Sequence, residues 1–185
     1  MTAVVFETHA TSEDNERGIA TGWLGGRLST EGRRQAADLG ARRRDDGLAV
    51  VYCSDLERAV ETAAIAFGGS SIPVLADRRL RECDYGDWNG MPRARLEAER
   101  LRRLEEPWPG GESWQRAVER VDGFLDELAG RHAGERVLLI GHMATRFALE
   151  VRTTGTPLRA LIGAPFCWRP GWEYRLGPAR LDNTS

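Results

Sequence analysis

The sequence predicts an α/β fold, a three-layer α/β/α sandwich around a mostly parallel central sheet. Three observations carry that expectation. Short β-branched runs alternate with stretches of helical apolar spacing. Two of those runs stop just before a histidine: Ala3-Val4-Val5-Phe6 leads into Glu7-Thr8-His9, and Val137-Leu138-Leu139-Ile140 into Gly141-His142. The chain of 185 residues is long enough for one domain with a sizeable core, and it shows no internal repeat or low-complexity tract.

The elements follow in order. Strand one is expected at about Ala3 to Thr8. A polar loop from Thr11 to Arg27 holds Gly18, Gly22, Gly25 and Gly26, and Trp23 and Leu24 make it a packed loop. Ser29 reads as the N-cap of a helix from Thr30 to about Asp45, with Glu31 in its first turn. Strand two is expected at Leu48 to Cys53. Ser54-Asp55-Leu56-Glu57 then reads as a capping box. Its helix puts Leu56, Ala59, Val60, Ala63, Ala64 and Phe67 on one apolar face and ends at Gly68-Gly69. A short strand is expected near Ile72 to Leu75. Residues 77–111 form an irregular, insertion-like segment with a charged helical stretch near Pro92 to Glu105. A helix over about Glu112 to Ala129 carries the stripe Trp114, Val118, Val121, Leu125 and Leu128. The strand Val137 to Ile140 leads into a helix from about Ala144 to Arg152, and Phe166 to Leu176 reads as a turn and a final strand. The whole chain, 1–185, is expected to be a single domain.

Composition narrows the function. The net charge of −2 leaves no electrostatic footprint for nucleic acid. All 26 basic residues are arginine, which excludes a Schiff-base or phosphate-loop lysine and supplies bidentate anion binders. Cys53, Cys83 and Cys167 show no CxxC and no zinc-ligand spacing, as expected of reduced cytosolic thiols. No apolar run is long enough to span a bilayer. The expectation is a cytoplasmic protein with no membrane or nucleic-acid partner and no metal or organic cofactor. A homodimer is compatible with the sequence.

Ligands of open α/β sheets sit beyond the carboxyl ends of the strands. His9, Ser54 and His142 all fall at that edge, with Arg58 one turn into the following helix. Helix N-termini gathered there favour an anion. Two imidazoles, an arginine and helix dipoles suit a phosphate monoester. His9 reads as the nucleophile and His142 as its partner.

Four blocks then resemble the histidine phosphatase (phosphoglycerate mutase-like) superfamily, in its order and over nearly the whole chain. Phe6 to Asn15 is similar to the nucleophile motif Arg-His-Gly-x-Thr-x-x-Asn. Thr21 to Ala36 resembles the loop leading into Leu-Thr/Ser-x-x-Gly-x-x-Gln-Ala. Ser54 to Ala59 with Thr62-Ala63 closely resembles the second arginine motif. Leu80-Arg81-Glu82 with Gly86, Trp88 and Gly90 resembles the block of the acid–base carboxylate, and Pro109 to Ser113 is a further segment typical of the family. The resemblance implies a phosphoglycerate mutase-like fold and a phosphomonoesterase acting on a small metabolite. In that scheme His9 becomes phosphohistidine, Glu82 is the general acid and base, and Arg58 and His142 hold the phosphoryl oxygens. It places Thr8, Ser12, Asn15, Thr21, Gly22 and Met143 around the substrate phosphate.

The flanks depart from the pattern. Thr8 stands where the family has arginine, Ala10 and Met143 where it has glycine. A hydroxyl does not replace a bidentate fork. Arg146, four residues after His142, and Arg17 in the glycine-rich loop are the expected substitutes; the family's usual arginine in the former helix falls at Phe147. Acidic Glu13, Asp14 and Glu16 favour monophosphates of neutral or cationic metabolites. Three rivals remain: a silent anion-binding pseudo-phosphatase, a phosphoglycerate-type mutase, and a metal hydrolase using both histidines and an acid.

Overall fold

The computed structural model describes residues 1–178. In chain order its elements are β1 (Thr2–Thr8), α1 (Glu13–Glu16), β2 (Ile19–Ala20), α2 (Thr30–Arg43), β3 (Val50–Cys53), α3 (Glu57–Phe67) and β4 (Val74–Ala76). Then come β5 (Met91–Pro92), α4 (Arg93–Glu99), α5 (Trp114–Arg131), β6 (Arg136–Gly141), α6 (Met143–Thr154), α7 (Leu158–Gly163) and β7 (Trp172–Leu176). The main sheet has the order β4-β3-β6-β1-β7, all parallel except β7, which runs antiparallel to β1 at the edge.

Alternate strand residues feed two cores, as the two-residue period of a strand requires. Val4, Phe6, Tyr52, Val137 and Leu139 pack with α5 and α6. Val5, Val51, Cys53, Leu138 and Ile140 pack with Leu39 of α2 and with Ala59, Ala63 and Phe67 of α3. The three layers are therefore α2/α3, sheet, α5/α6. Central parallel strands are covered on both faces, which explains their unbroken apolar runs.

Register aligns the site. Thr8 of β1 lies opposite Gly141 of β6, and Cys53 of β3 opposite Ile140. The next residues continue the ladder: His9 N–H donates to the Gly141 carbonyl at 3.0 Å, and Ser54 N–H to that of Ile140 at 3.0 Å. Three strands thus deliver His9, Ser54 and His142 to adjacent points of one edge.

Local differences from the expected elements have physical causes. Ser54 does not cap α3 through a capping box; its hydroxyl accepts from Leu56 N–H, and Leu56 is the N-cap without a side-chain bond. The buried face of α3 is also rotated. Val60 is exposed, whereas Arg58, Thr62 and Ala66 are buried, because this helix must aim Arg58 at the sheet edge. The charged stretch near Pro92 forms only the short α4, followed by a 3-10 turn at Arg102–Leu104. Helix α7, entered from Pro157, was not anticipated. Within residues 77–111, two 3-10 turns lead to β5, which pairs antiparallel with β2 of the glycine-rich loop.

Candidate active site

His9 follows β1 directly. Its Nδ1 lies 2.7 Å from the carbonyl of Ala10, an acceptor, so the proton is assigned to Nδ1 and the lone pair to Nε2. Nε2 accepts from Arg58 Nε at 3.3 Å. Burial holds the imidazole far below its usual range, at about 3, with the charge of Arg58 adding to the shift. The chain after His9 is fixed twice. Ala10 N–H donates to Thr62 Oγ1 at 3.0 Å, and Thr11 N–H and hydroxyl donate to Gln35 Oε1 at 3.0 and 2.9 Å.

Arg58 sits in the first turn of α3 and is 3% exposed. Its Nη2 donates to the Gly22 carbonyl at 2.9 Å and to His142 Nδ1 at 3.4 Å; Nη1 donates to the Leu24 carbonyl at 3.4 Å. Burial lowers its pKa, with the negative charge of Glu82 opposing that shift, and a guanidinium stays protonated regardless. The carbonyl that orients it belongs to a residue that must be glycine. Gly22 has φ +56°, and a Cβ there would lie 1.8 Å from Asn89 Oδ1.

His142 is the N-cap residue of α6, and its ring centroid is 4.9 Å from that of His9. Nδ1 receives the Arg58 hydrogen bond, so the neutral ring carries its proton on Nε2. That Nε2 is buried without a protein partner. A donor left unpaired in a buried cavity is the group expected to meet a ligand oxygen. Burial and Arg58 hold His142 well below the usual imidazole range.

Glu82 faces the same N-terminus. Its Oε2 accepts from Met143 N–H at 3.3 Å, and its Oε1 from Ala144 N–H at 3.1 Å and Cys83 N–H at 2.9 Å. It therefore caps α6 as well as facing the cavity. A set of groups that sequence reasoning missed holds it there. Trp23 Nε1 donates to the Glu82 carbonyl at 2.6 Å. Arg120 of α5 donates to the carbonyls of Arg79, Arg81 and Glu82 at 2.8, 3.1 and 3.2 Å and pairs with Glu112. Asn89 Oδ1 accepts from Tyr85 and Trp23 N–H. Trp23 in a polar loop was the one available signal.

These groups open into a cavity of about 560 Å³. It is lined by His9, Arg58, Glu82 and His142, and also by Thr8, Asn15, Thr21, Gly22 and Met143. Three expected residues are elsewhere. Ser12 is buried as the N-cap of α1, exchanging hydrogen bonds with Asn15. Arg17 is 67% exposed and paired with Glu13. Arg146 lies over the ring of Trp172, 4.9 Å from its centroid, because its turn of α6 faces β7 and not the cavity. Neither arginine lines the cavity. The arginines that do, besides Arg58, are Arg42, Arg93 and Arg100. Among the described residues no group of three or more His, Cys, Asp or Glu is placed to hold a metal ion, and no helix is long and apolar enough to cross a membrane.

Comparison with known proteins agrees with this geometry. The family model of the histidine phosphatase superfamily (branch 1) matches residues 4–165. Phosphoserine phosphatase 1 of Hydrogenobacter thermophilus is 31% identical over 166 residues, covering 85% of this chain and 79% of that protein. A 2,3-bisphosphoglycerate-dependent phosphoglycerate mutase of Methylobacterium sp. strain 4-46 is 34% identical over 188 residues, covering 94% and 90%. Among solved structures, Bacillus stearothermophilus YhfR superposes with TM-score 0.83 at 28% identity, over 97% of this chain and 93% of that one. The chain therefore belongs to the histidine phosphatase superfamily, branch 1, and is a phosphoric monoester hydrolase of that family.

Proposed function

We propose that the cavity hydrolyses a small-metabolite phosphomonoester through a phosphohistidine on His9. The observation that carries this is the state of His9: neutral, with its Nε2 lone pair beside Arg58, and the His142 ring alongside. In the first step Glu82 takes up a proton from solvent as the ester binds, Nε2 attacks phosphorus, the ester P–O bond breaks, and Glu82 passes that proton to the leaving oxygen. In the second, Glu82 takes a proton from water, the hydroxide attacks phosphorus, and the P–N bond breaks. Phosphate leaves, Glu82 releases its proton to solvent, and His9 and Glu82 return to their starting states. Arg58 moves its Nε bond from His9 to a phosphoryl oxygen, and His142 donates from Nε2 to another.

The rest of the cavity suits the non-phosphate part of the substrate. Tyr85, Trp108, Trp114 and Met143 give it apolar walls, and Phe166 and Trp168 lie at its exposed rim. Relatives named as phosphoserine phosphatase and glucosyl-3-phosphoglycerate phosphatase act on small phosphorylated metabolites, in keeping with that size.

The test is phosphate release from a panel of sugar, nucleotide, flavin, amino-acid and glycerate monophosphates, with and without EDTA. Release that EDTA leaves unchanged and that disappears in His9→Ala is expected. Release that EDTA abolishes, or that survives in His9→Ala, contradicts the mechanism; phosphate binding without any release supports a non-catalytic anion binder.

A further inference from the structure

Residues 164–171 join α7 to β7 and run beside the nucleophile. Strand β7 pairs antiparallel with β1, Phe6 opposite Trp172, so the residues just before Trp172 pass the end of β1, where Thr8 and His9 stand. The connection is pinned there. Arg43 ties it to the nucleophile strand, with Nε donating to Glu7 Oε1 at 2.9 Å and Nη2 to the Pro170 carbonyl at 3.2 Å. Gly171, at φ +89°, packs so closely on the Arg43 guanidinium that a Cβ would collide with it.

This strap turns two large aromatic side chains to solvent. Phe166 is 47% and Trp168 57% exposed, and both line the cavity that His9 lines. Rings of this size are normally covered, and a pair left open at a cavity mouth marks a surface that a ligand covers. The two rings differ in support. Phe166 rests 6.3 Å from the Trp172 ring centroid, and the Arg146 guanidinium lies within 6.0 Å of both. Among the described residues Trp168 has no ring or cation against its faces. At about 560 Å³ the cavity is of the size that takes a whole small-molecule ligand, so a phosphoryl group at His9 fills only part of it.

We propose that Phe166 and Trp168 form an aromatic subsite, and that the substrate is a phosphomonoester whose alcohol carries a planar aromatic ring system. The ring stacks on Trp168 at the mouth while the phosphoryl group reaches His9. Stacked rings gain more than their buried area alone provides, an advantage that an alkyl chain lacks. The inference names the substrate class of the phosphatase reading and rests on it for turnover; ligand binding tests it without turnover.

Three esters of primary alcohols, with closely matched leaving groups, isolate the ring: naphthylethyl, ethyl and decyl phosphate. The wild type should favour the naphthylethyl over the ethyl ester about 10- to 100-fold in kcat/KM, and over the decyl ester a few-fold. Trp168→Ala should cut the naphthylethyl-to-ethyl ratio about 5- to 10-fold, as removal of a stacking ring does. Trp168→Phe should restore most of that ratio and Trp168→Leu should not. Leu75→Ala, at a comparably exposed apolar residue of β4 outside the cavity, should leave the ratio unchanged. Calorimetry with naphthylpropyl phosphonate, which is not hydrolysed, should show the same dependence of Kd on Trp168. The proposal is overturned if the naphthylethyl ester is not preferred, if the decyl ester serves equally well, or if Trp168→Ala leaves the ratio unchanged. It is also overturned if Leu75→Ala lowers the ratio equally, or if the naphthyl phosphonate binds no tighter than propyl phosphonate. An unchanged ratio with loss of a dimer in light scattering of Trp168→Ala would assign the strap to a protein interface instead. Phosphonate binding that depends on Trp168, without hydrolysis of any ester, would keep this inference and remove the phosphatase reading.

Discussion

The sheet edge and the arch of residues 77–111 that crosses its mouth supply different halves of the site by different means. At the edge, His9, Arg58 and His142 are set by backbone ladders and helix starts; Arg58 and His142 are buried and His9 is half-buried at the cavity wall. In the arch, the Glu82 carboxylate meets the start of α6, but its backbone is set by side chains reaching from far away, Trp23 and Arg120, both on its carbonyl, while Asn89 within the arch accepts from Tyr85 N–H. One half inherits its precision from secondary structure. The other depends on a few individual hydrogen bonds, so single substitutions should loosen it without unfolding the domain.

The largest effects are expected where each half touches the phosphate. Glu82→Gln removes the proton donor and should lower kcat roughly 10²–10⁴-fold with saturating phosphomonoester. It also turns an NH2 toward Met143 N–H and should cost about 1–3 kcal/mol of stability, read in urea melts. At the edge, Arg58→Lys should lower kcat/KM roughly 10²–10³-fold, because an ammonium cannot reproduce a fork that meets His9, Gly22 and His142 together. Equal losses in kcat and kcat/KM would mark transition-state contacts; a pure rise in KM would contradict them.

The edge should next reveal itself through pH. His9 titrates near 6.5 when unfolded and at about 3 when folded, so the unfolded chain binds the extra proton. Stability is full above pH 6.5 and falls as the pH drops toward 3, by about 1.4 kcal/mol per pH unit for this imidazole. His142 shifts in the same direction and steepens the slope. His9→Ala should flatten the acid limb of a plot of urea-unfolding free energy against pH, whereas an unchanged limb would show that His9 is not buried neutral.

The smallest effect belongs to the arch. Trp23→Phe keeps a ring beneath Arg81 and Arg120 but deletes the indole bond to the Glu82 carbonyl. It should cost about 0.5–1.5 kcal/mol in a thermal melt and lower kcat a few-fold, on the order of that lost bond, with phosphate affinity unchanged. A larger effect on phosphate affinity than on kcat would erase the distinction between the two halves.

The same contrast explains what could be read in advance. Edge residues were legible because β-branched runs and helix spacing are periodic, and the stripe from Trp114 to Leu128 is buried as its spacing requires. Helix α3 was read one step off, since burying Arg58 and Thr62 displaces Val60 outward, an override that apolar spacing cannot show. The arch has no period, and its bonds join residues such as Trp23 and Glu82 that lie 59 apart in sequence. Arg146 shares a helix face with His142 by count, yet its side chain follows the turn toward Trp172. Arg93 reaches the cavity only through the pairing of β2 with β5, two strands of two residues each that no pattern signals.

The central claim is that His9 carries the phosphoryl group during turnover. Rapid acid-free quenching with a substrate from the panel, followed by intact and peptide mass spectrometry, tests it most directly. A phosphoryl adduct on His9 that forms within the first turnover, is stable to base, is lost in acid and is absent from His9→Ala is the predicted result. Steady hydrolysis with no adduct, or an adduct on any other residue, would contradict it.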